Sequence, residues 1–352
     1  MHAEKRTSDD HVLTDVEERG SHNPPNNDSL SLKSGAKIDI LSRISAGGEG
    51  TIYNISDPDL VCKVYHFDKR TTDRQQKIRL MLDKRMSYEG ICWPKDEVLN
   101  QKGETVGYIM QKAQGVELAR SLWQRPLLEK HFPLWDKFDT VRLALTILDK
   151  INYLHSHDIL IGDINASNIL VKDADKVYFI DTDSYQVDGL PCPVGTIHFT
   201  PPEFQGKDWS KTPRELGHEL FAVATLLFMI MLPGKAPYAS QGGGDIKDSI
   251  SKGDFPYSLK ERGDREKMPA GVWRYCWSHL PDYIQNGFYH TFHRSGNLKD
   301  MSNRLSVEEW INRFARYERD LKDGTLIQQD PDAIRLFPPD YNNKDNLKEE
   351  GL

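Results

Sequence analysis

The periodicity of the apolar residues changes once along the chain, near Gln114–Gly115. From Ile38 to Tyr65, short β-branched runs are broken by Gly and Asp, a pattern typical of three antiparallel strands. A helix is predicted over residues 72–86 and a second strand pair over 97–111, whereas the later apolar spacing is mostly helical, most clearly over 138–157. The sequence therefore predicts an α+β, bilobal fold in which a small β-rich lobe with one helix precedes a larger, mainly helical lobe.

The chain divides into four predicted segments. The first residues mix His, Asn, Pro, Ser and acids without periodicity, so they bury too little apolar surface to offset the entropy cost of ordering. The residues from about Glu318 onward are charged and rich in Asn and Asp, which predicts an extended or partly disordered tail. The predicted segments are a flexible leader over 1–36, an N-terminal lobe over 37–112, a C-terminal lobe over 113–317 and a C-terminal extension over 318–352.

The charge balance and the apolar runs exclude several classes of function. The chain has 46 Lys and Arg against 53 Asp and Glu, a net charge of −7, and a nucleic-acid partner is not expected because phosphate neutralisation needs surplus basic side chains. The longest apolar run, Leu220–Leu232, is shorter than the roughly 20 residues of a membrane span and is interpreted as a buried helix. No apolar signal segment is recognised and the four cysteines lie far apart, so a cytoplasmic location with reduced thiols is expected. The oligomeric state stays open.

A glycine-dense turn within Ile44–Tyr53 joins two of the predicted strands. Its backbone can approach a polyphosphate closely because Gly47, Gly48 and Gly50 lack a Cβ, although an ordinary glycine-rich hairpin has the same composition. Lys63 follows within an apolar strand, where a lysine either reaches solvent from a sheet edge or meets an anion. A phosphate group would be such an anion.

Two carboxylates and one amide lie at the ends of predicted apolar segments. Asp163 follows the segment that leaves a helix, Asn168 comes five residues later, and Asp181 ends the next short strand. Asn and Asp offer the hard oxygen ligands that suit Mg²⁺ bound to phosphate oxygens. Asn168 and Asp181 are therefore predicted metal ligands, and Asp163 is left to face a substrate hydroxyl.

These segments resemble a eukaryotic-type serine/threonine protein kinase domain, in a divergent, bacterial-like form, over about residues 38–317. The resemblance implies that Gly47 and Gly50 belong to a phosphate-covering loop and that Lys63 contacts the α- and β-phosphates of ATP. It implies three catalytic residues, which are Asp163, Lys63 and Asn165, and two metal ligands, which are Asn168 and Asp181. The nucleotide-binding residues that it implies are Ser45, Gly47, Gly48, Gly50, Ile52, Val61, Lys63, Met110, Gln111, Ala113, Leu170 and Ile180.

The resemblance also assigns parts of the cleft and of the larger lobe. Met110 would precede a hinge over residues 111–113 whose backbone binds adenine, and the adjacent apolar side chains would pack around that base. The stretch that ends in Pro201-Pro202-Glu203 resembles the close of an activation segment, and Arg304 stands where an arginine pairs with that glutamate. The pair of Glu203 and Arg304 is expected to be structural.

Several residues depart from the pattern of the family. Gly162 replaces the arginine that would bind a phosphorylated activation loop, so activation is not expected to depend on that phosphate. Asn165 replaces a lysine that lies beside the transferring phosphoryl group, and Asp181-Thr182-Asp183 replaces Asp-Phe-Gly. The predicted helix over 72–86 contains no glutamate to pair with Lys63. Three acids stay open as its partner, and these are Asp73, Asp83 and Glu89.

The implied function is transfer of the γ-phosphoryl group of ATP to a Ser or Thr hydroxyl of a protein substrate, including autophosphorylation. Mg²⁺ is the implied metal, with Mn²⁺ as a substitute. Thr196 supports a Ser or Thr acceptor because it stands where such kinases place a threonine against the catalytic aspartate. Two alternatives stay open: a pseudokinase that binds nucleotide as a scaffold, and a small-molecule kinase of the aminoglycoside or choline type.

Overall fold

The computed structural model describes residues 30–259 and 267–338. It confirms the predicted α+β, bilobal architecture, with a curled antiparallel sheet in the first part and helices in the second. The strands are β1 (Leu30–Leu32), β2 (Lys37–Ile38), β3 (Ile40–Ala46), β4 (Gly50–Ile55), β5 (Leu60–Tyr65), β6 (Pro94–Leu99), β7 (Thr105–Gln111), β8 (Val116–Glu117), β9 (Ile169–Val171) and β10 (Val177–Phe179). The helices are α1 (Thr72–Asp83), α2 (Arg125–His131), α3 (Lys137–His155), α4 (Leu216–Met231), α5 (Ile246–Lys252), α6 (Trp273–Ser278), α7 (Asp282–Phe292), α8 (Val307–Lys322) and α9 (Thr325–Gln329).

The N-terminal sheet has the order β2-β1-β6-β7-β5-β4-β3, and all of its described pairs are antiparallel. Strand β5 lies inside the sheet between β7 and β4, and its side chains are buried on both faces of the sheet. Val61 and Tyr65 pack into the main core, whereas Cys62 and Val64 pack into a second, smaller core on the other face. Because side chains alternate along a strand, Lys63 faces the same side as Val61 and Tyr65, toward the larger lobe.

The C-terminal lobe is built around α4, which is buried along almost its whole length. A helix that is apolar on all sides has to lie inside a core, and this explains the apolar run seen in the sequence. Helix α3 begins at a reciprocal capping box between Asp136 and Asp139 and packs against α8. Over residues 30–259 and 267–338, no helix combines the length and the apolar content that crossing a bilayer requires.

Both predicted terminal segments differ from the structure where they are described. Residues 30–36 were predicted to end the flexible leader, but Leu30 is buried and β1 pairs with β2 and β6. Residues 318–338 were predicted to be extended or disordered, but they include the end of α8 and all of α9. The rest of the predicted leader and of the predicted extension lies outside the described residues.

A three-stranded sheet, in the order β10-β9-β8, lies where the two lobes join. The N–H of Cys92 donates to the carbonyl of Phe179 at 3.0 Å, and the N–H of Phe179 donates to the carbonyl of Gly90 at 2.7 Å. These bonds fix the end of β10 against the chain that leads into the N-terminal sheet. The residues that directly follow β10 are therefore held at the seam between the lobes.

Candidate active site

Lys63 lies at the centre of a group of side chains on the inner face of the N-terminal sheet. Its cross-strand neighbours are Ile52 on β4 and Tyr108 on β7, and directly opposed residues in an antiparallel pair face the same side. The lysine is almost fully buried, so its ammonium group needs anionic or polar partners.

Two carboxylates from one short stretch supply those partners. Lys63 Nζ donates to Asp181 Oδ1 at 2.8 Å and to Asp183 Oδ1 at 2.7 Å. Burial by itself lowers the pKa of Lys63, but the charges of Asp183 and Asp181 outweigh it and raise this pKa above its ordinary value. The lysine is therefore charged at neutral pH.

Asp183 is the buried anchor of this group. Besides Lys63, it accepts hydrogen bonds from the hydroxyl of Tyr108 at 2.7 Å and from the hydroxyl of Tyr65 at 2.8 Å. Burial opposes ionisation, but Lys63 and the two hydroxyl groups lower the pKa of Asp183 to about 2. Burial beside this carboxylate raises the pKa of both tyrosines. They act only as donors to Asp183.

The sequence prediction for the partner of Lys63 was wrong. None of the three acids left open there pairs with the lysine, and the structure gives this place to Asp183, which stands in the position of a glycine in the family pattern. The signal lay in the sequence as two linked departures: a helix without a glutamate and an extra aspartate two residues after Asp181. The predicted candidates that are not used are Asp73, Asp83 and Glu89.

The glycine-rich turn between β3 and β4 approaches the same group through Glu49. One carboxylate oxygen of Glu49 lies 3.9 Å from Lys63 Nζ, and the other accepts a hydrogen bond from Arg74 on α1. The guanidinium of Arg74 also lies 4.8 Å from the centre of the Tyr65 ring. Sequence reasoning missed Glu49 and Arg74 because neither belongs to the motif of the family.

The glycines of this turn differ in how much space surrounds them. A Cβ on Gly50 would lie 2.5 Å from the carbonyl oxygen of Val64 on the neighbouring strand, whereas a Cβ on Gly47 or Gly48 would meet no atom within 4 Å. Gly50 is therefore needed for strand pairing, whereas Gly47 and Gly48 have open space where a Cβ would stand. Ser45, which lies opposite Ile52, and Gly48 are exposed.

We expect Gly50→Ala to lower the free energy of unfolding by about 1–3 kcal/mol, because the added methyl group overlaps a backbone atom that cannot move freely. Gly47→Ala is the matched control, and we expect a change within about 0.5 kcal/mol. Urea denaturation followed by fluorescence measures both values. Equal stability of the two variants would contradict this account of the turn.

Asp163 lies on the loop that crosses the larger lobe. Its Oδ1 accepts a hydrogen bond from the hydroxyl of Thr196 at 3.0 Å. Burial raises the pKa of Asp163 above its ordinary value, although the bonds from Thr196 and Asn165 and the charge of Arg214 act against this shift. The side chain of Asn165 also accepts from the N–H of Ser167 and so begins the short turn that carries Asn168.

Glu219, in the first turn of α4, holds this loop in place. Its two carboxylate oxygens accept the N–H groups of Ile161 at 2.8 Å and Gly162 at 2.7 Å, and His155 Nε2 lies 2.9 Å from the first of them. The carboxylate is completely buried, so these donors replace its hydration. Sequence reasoning did not identify Glu219, since its partners are main-chain groups.

We expect Glu219→Gln to lower the free energy of unfolding by about 2 kcal/mol, because an amide NH₂ would then face a buried N–H donor. Exposed Glu308, in the first turn of α8, offers a control of the same chemistry. Glu308→Gln should change stability by less than about 0.5 kcal/mol. Thermal and urea unfolding of both variants measure the difference, and similar losses in the two would refute the assigned role.

The predicted metal ligands lie on adjoining segments. The N–H of Ile180 donates to the carbonyl of Asn168 at 3.0 Å, so the turn that carries Asn168 and the residue before Asp181 are joined. Asp181 has a left-handed backbone, with φ of 57°, and its side chain is 40% exposed. One oxygen each from Glu49, Asp181 and Asp183 lies within 4.8 Å of the others. This oxygen-rich donor set is chemically suited to Mg²⁺.

Comparison with known proteins bears on this geometry. No family model matches the chain. "Protein kinase YegI" of Escherichia coli O157:H7 is 26% identical over 313 residues, which are 84% of this chain and 46% of that protein. The protein of the same name in Escherichia coli K12 is 26% identical over 297 residues, 79% of this chain and 44% of that protein. "Putative serine/threonine-protein kinase R436" of Acanthamoeba polyphaga mimivirus is 28% identical over 135 residues, 33% of this chain and 46% of that protein.

The chain is similar, at 26–28% identity, to proteins that are named as protein kinases. It spans about half the length of the curated relatives that it matches. The matches to the Escherichia coli proteins cover most of the chain, in line with the bilobal, kinase-like arrangement of its sheet and helices.

Within this kinase-like arrangement, the residues predicted to line an adenine pocket lie in the main core or against it. Val61 and Met110 are opposed on β5 and β7 and are buried. Four more predicted residues pack against the same core, and these are Ile52, Ala113, Leu170 and Ile180. Gln111 ends β7, and its side-chain oxygen accepts the N–H of Gly90 at 3.3 Å. Their roles toward a nucleotide stay predictions.

The kinase-like pair of Glu203 and Arg304 is present as predicted. The guanidinium of Arg304 binds both carboxylate oxygens of Glu203, and it also donates to the carbonyls of Gly217 and Lys299. Arg304 is buried, so this fork of hydrogen bonds connects the stretch that ends at Glu203 to α4 and to the loop before α8. The contact is structural.

Proposed function

We propose that this chain transfers the γ-phosphoryl group of ATP to a Ser or Thr hydroxyl of a protein substrate. The observation that carries the proposal is the contact of buried Lys63 with Asp181 and Asp183 at the seam of two lobes, together with the hydrogen bond from Thr196 to Asp163 in the larger lobe. The similarity to proteins named as kinases supports the same activity.

The nucleotide end of the site is formed by the N-terminal lobe. Lys63 places a fixed positive charge on the α- and β-phosphates, and the open space around Gly47 and Gly48 lets the backbone cover the phosphate chain. The predicted apolar side chains around Val61 and Met110 bind the adenine ring. Ordering of the phosphates in this way lowers the entropy cost of the reaction.

Asp181 and Asn168 would hold Mg²⁺, or Mn²⁺ in its place. Oxygen donors suit either ion, and the partial exposure of Asp181 leaves part of its carboxylate free of protein contacts. When bound, the ion neutralises charge on the phosphates. Asp183 stays with Lys63 and the two tyrosines, so it keeps the lysine oriented while Asp181 serves the metal.

Asp163 receives the acceptor substrate. Its carboxylate orients the incoming hydroxyl group and accepts its proton, while Thr196 and Asn165 fix the direction of the side chain. Asn165 brings no positive charge, so charge neutralisation comes from Lys63 and the metal. A Ser or Thr acceptor is favoured because Thr196, from the activation segment, lies directly against Asp163.

The test is incubation of the purified chain with γ-labelled ATP, Mg²⁺ and a generic basic protein, followed by mass spectrometry of both proteins. We expect label on Ser or Thr residues, no label in the presence of EDTA, and no label with the Asp163→Ala variant. Equal labelling by the parent and by Asp163→Ala would overturn the mechanism.

The two alternatives are outcomes of the same assay. ATP binding without transfer to any acceptor would identify a nucleotide-binding scaffold and refute the proposal. Transfer to aminoglycosides or other small alcohols, with none to protein, would refute the protein acceptor and keep the phosphotransferase chemistry.

A further inference from the structure

A buried guanidinium lies beneath the loop that carries Asp163. Arg214, two residues before α4, is only 6% exposed. In the part of the chain that the structure describes, no carboxylate forms an ion pair with it. A buried guanidinium is costly unless its N–H groups find acceptors, so the identity of those acceptors shows what the residue holds.

The acceptors all belong to the activation segment, defined here as residues 181–203. The guanidinium donates to the carbonyl of Cys192 at 2.8 Å and to the carbonyl of Val194 at 2.7 Å. The main chain of Arg214 is bonded twice to the side chain of Gln186, at 2.7 and 2.8 Å. Arg214 thus binds three points of the segment, and every acceptor is uncharged.

Two glycines make room for this arrangement. A Cβ on Gly162 would lie 3.2 Å from one terminal nitrogen of Arg214, and a Cβ on Gly195 would lie 2.8 Å from the other. Gly162 directly precedes Asp163, and Gly195 directly precedes Thr196. The guanidinium is therefore packed between the two backbone segments that bring Asp163 and Thr196 together.

Several hydroxyl groups of the segment are buried or hydrogen-bonded without phosphate. Ser184, Tyr185 and Thr200 are buried, and the hydroxyl of Thr196 donates to Asp163. Phosphorylation at a buried hydroxyl would force a dianion into the core. The bonds to Arg214 give the segment its order in the unmodified chain.

We propose that Arg214 is a positioning residue that docks the activation segment on the Asp163 loop, so that Asp163 and Thr196 are aligned without phosphorylation of the segment. The alignment matters for the function proposed above, on which this inference rests. The guanidinium lies beside Gly162, which stands where the family pattern has an arginine, and it binds two main-chain carbonyls of the segment.

The experiment compares Arg214→Met, which removes the charge and the donors, with Arg214→Lys, which keeps the charge but cannot bridge both carbonyls. Arg294→Met is the control, since the Arg294 side chain is 70% exposed in the same lobe. We expect faster hydrogen exchange over residues 186–196 in Arg214→Met and an intermediate effect in Arg214→Lys. We also expect kcat to fall about 100-fold in Arg214→Met, with KM for ATP nearly unchanged.

Phosphatase-treated parent protein, verified as unphosphorylated by mass spectrometry, should keep its full kcat. Loss of activity on this treatment, with recovery when the segment is phosphorylated, would overturn the proposal. Parent-like exchange and kcat in Arg214→Met would overturn it as well.

If Arg214→Met does not fold, Gly195→Ala is the second variant. Its added methyl group would push the guanidinium of Arg214 away, so hydrogen exchange over residues 186–196 should become faster as well. Parent-like hydrogen exchange in Gly195→Ala would refute the proposal that Arg214 holds the segment. Absence of transfer by the parent protein would refute the proposed function, and the exchange data would still decide whether Arg214 holds the segment.

Discussion

Replacement of Asp183 by asparagine is expected to lower the free energy of unfolding by about 3–5 kcal/mol, because it leaves the buried Lys63 charge with one carboxylate fewer. The new amide would also point a donor at Lys63, Tyr65 or Tyr108, all of which already donate to this position. Phosphoryl transfer should fall about 100-fold or more, since the lysine loses its fixed orientation. Urea denaturation and the labelling assay measure the two effects.

The control for this change is Asp68→Asn. The Asp68 side chain is 69% exposed, and within the described residues its ion pair is with the neighbouring Lys69. Asp68→Asn should change neither the free energy of unfolding nor the rate of transfer appreciably.

The pH dependence of stability gives a second test of Asp183. The pKa of Asp183 is lowered to about 2 in the folded chain, so its stabilising effect is complete above about pH 4 and is lost as the pH falls toward 2. Asp183→Asn should lack this component of acid destabilisation. A loss of stability below about 1 kcal/mol would contradict the anchoring role.

Replacement of Asp181 by asparagine should have the opposite balance of effects. Transfer should fall about 1000-fold, because the carboxylate that would hold the metal loses its charge. Stability should change by only about 1 kcal/mol, because the side chain is 40% exposed and Lys63 keeps Asp183. Labelling with Mg²⁺, nucleotide binding and urea denaturation measure the three quantities.

Asp188→Asn is a closely matched control for Asp181. Asp188 also has a left-handed backbone, with φ of 48°, its side chain is 44% exposed, and it forms an ion pair with Lys84. Transfer should be unaffected in this variant. An Asp181→Asn protein that keeps more than about a tenth of the parent rate would exclude the predicted metal role.

The strands within 38–65, the helix over 72–86, the strand pair over 97–111 and the helix over 138–157 were predictable because each depends on local pattern. In the structure, the alternation along β5 places Val61 in the main core and Cys62 in the smaller core on the other face. The prediction of a disordered tail from residue 318 was wrong for the end of α8, because the many charged residues there lie on the exposed side of a helix whose apolar residues are buried. Phe314, Tyr317 and Leu321 recur at helical spacing and are buried.

Parts of the site depend on contacts that local sequence does not specify. The family pattern placed Lys63 and Asp181 in one nucleotide site, but the role of Asp183 depends on how the chain turns after β10. The left-handed backbone at Asp181 brings both carboxylates to the same ammonium group. Strand β1 was missed for a similar reason, because a three-residue strand forms only where β6 offers a free edge.

The contacts of Lys63 have a consequence for motion of the N-terminal lobe. Both carboxylates bonded to the lysine follow β10, while α1 contributes cations: Arg74 binds Glu49, and Lys77 donates to the carbonyl of Ser184. Tilting α1 outward would therefore break contacts to the turn and to Ser184 but would leave the lysine paired. A compound that displaces this helix should therefore leave Lys63 bonded to its two carboxylates. A compound that separates residues 181–183 from β5 should break both of these bonds.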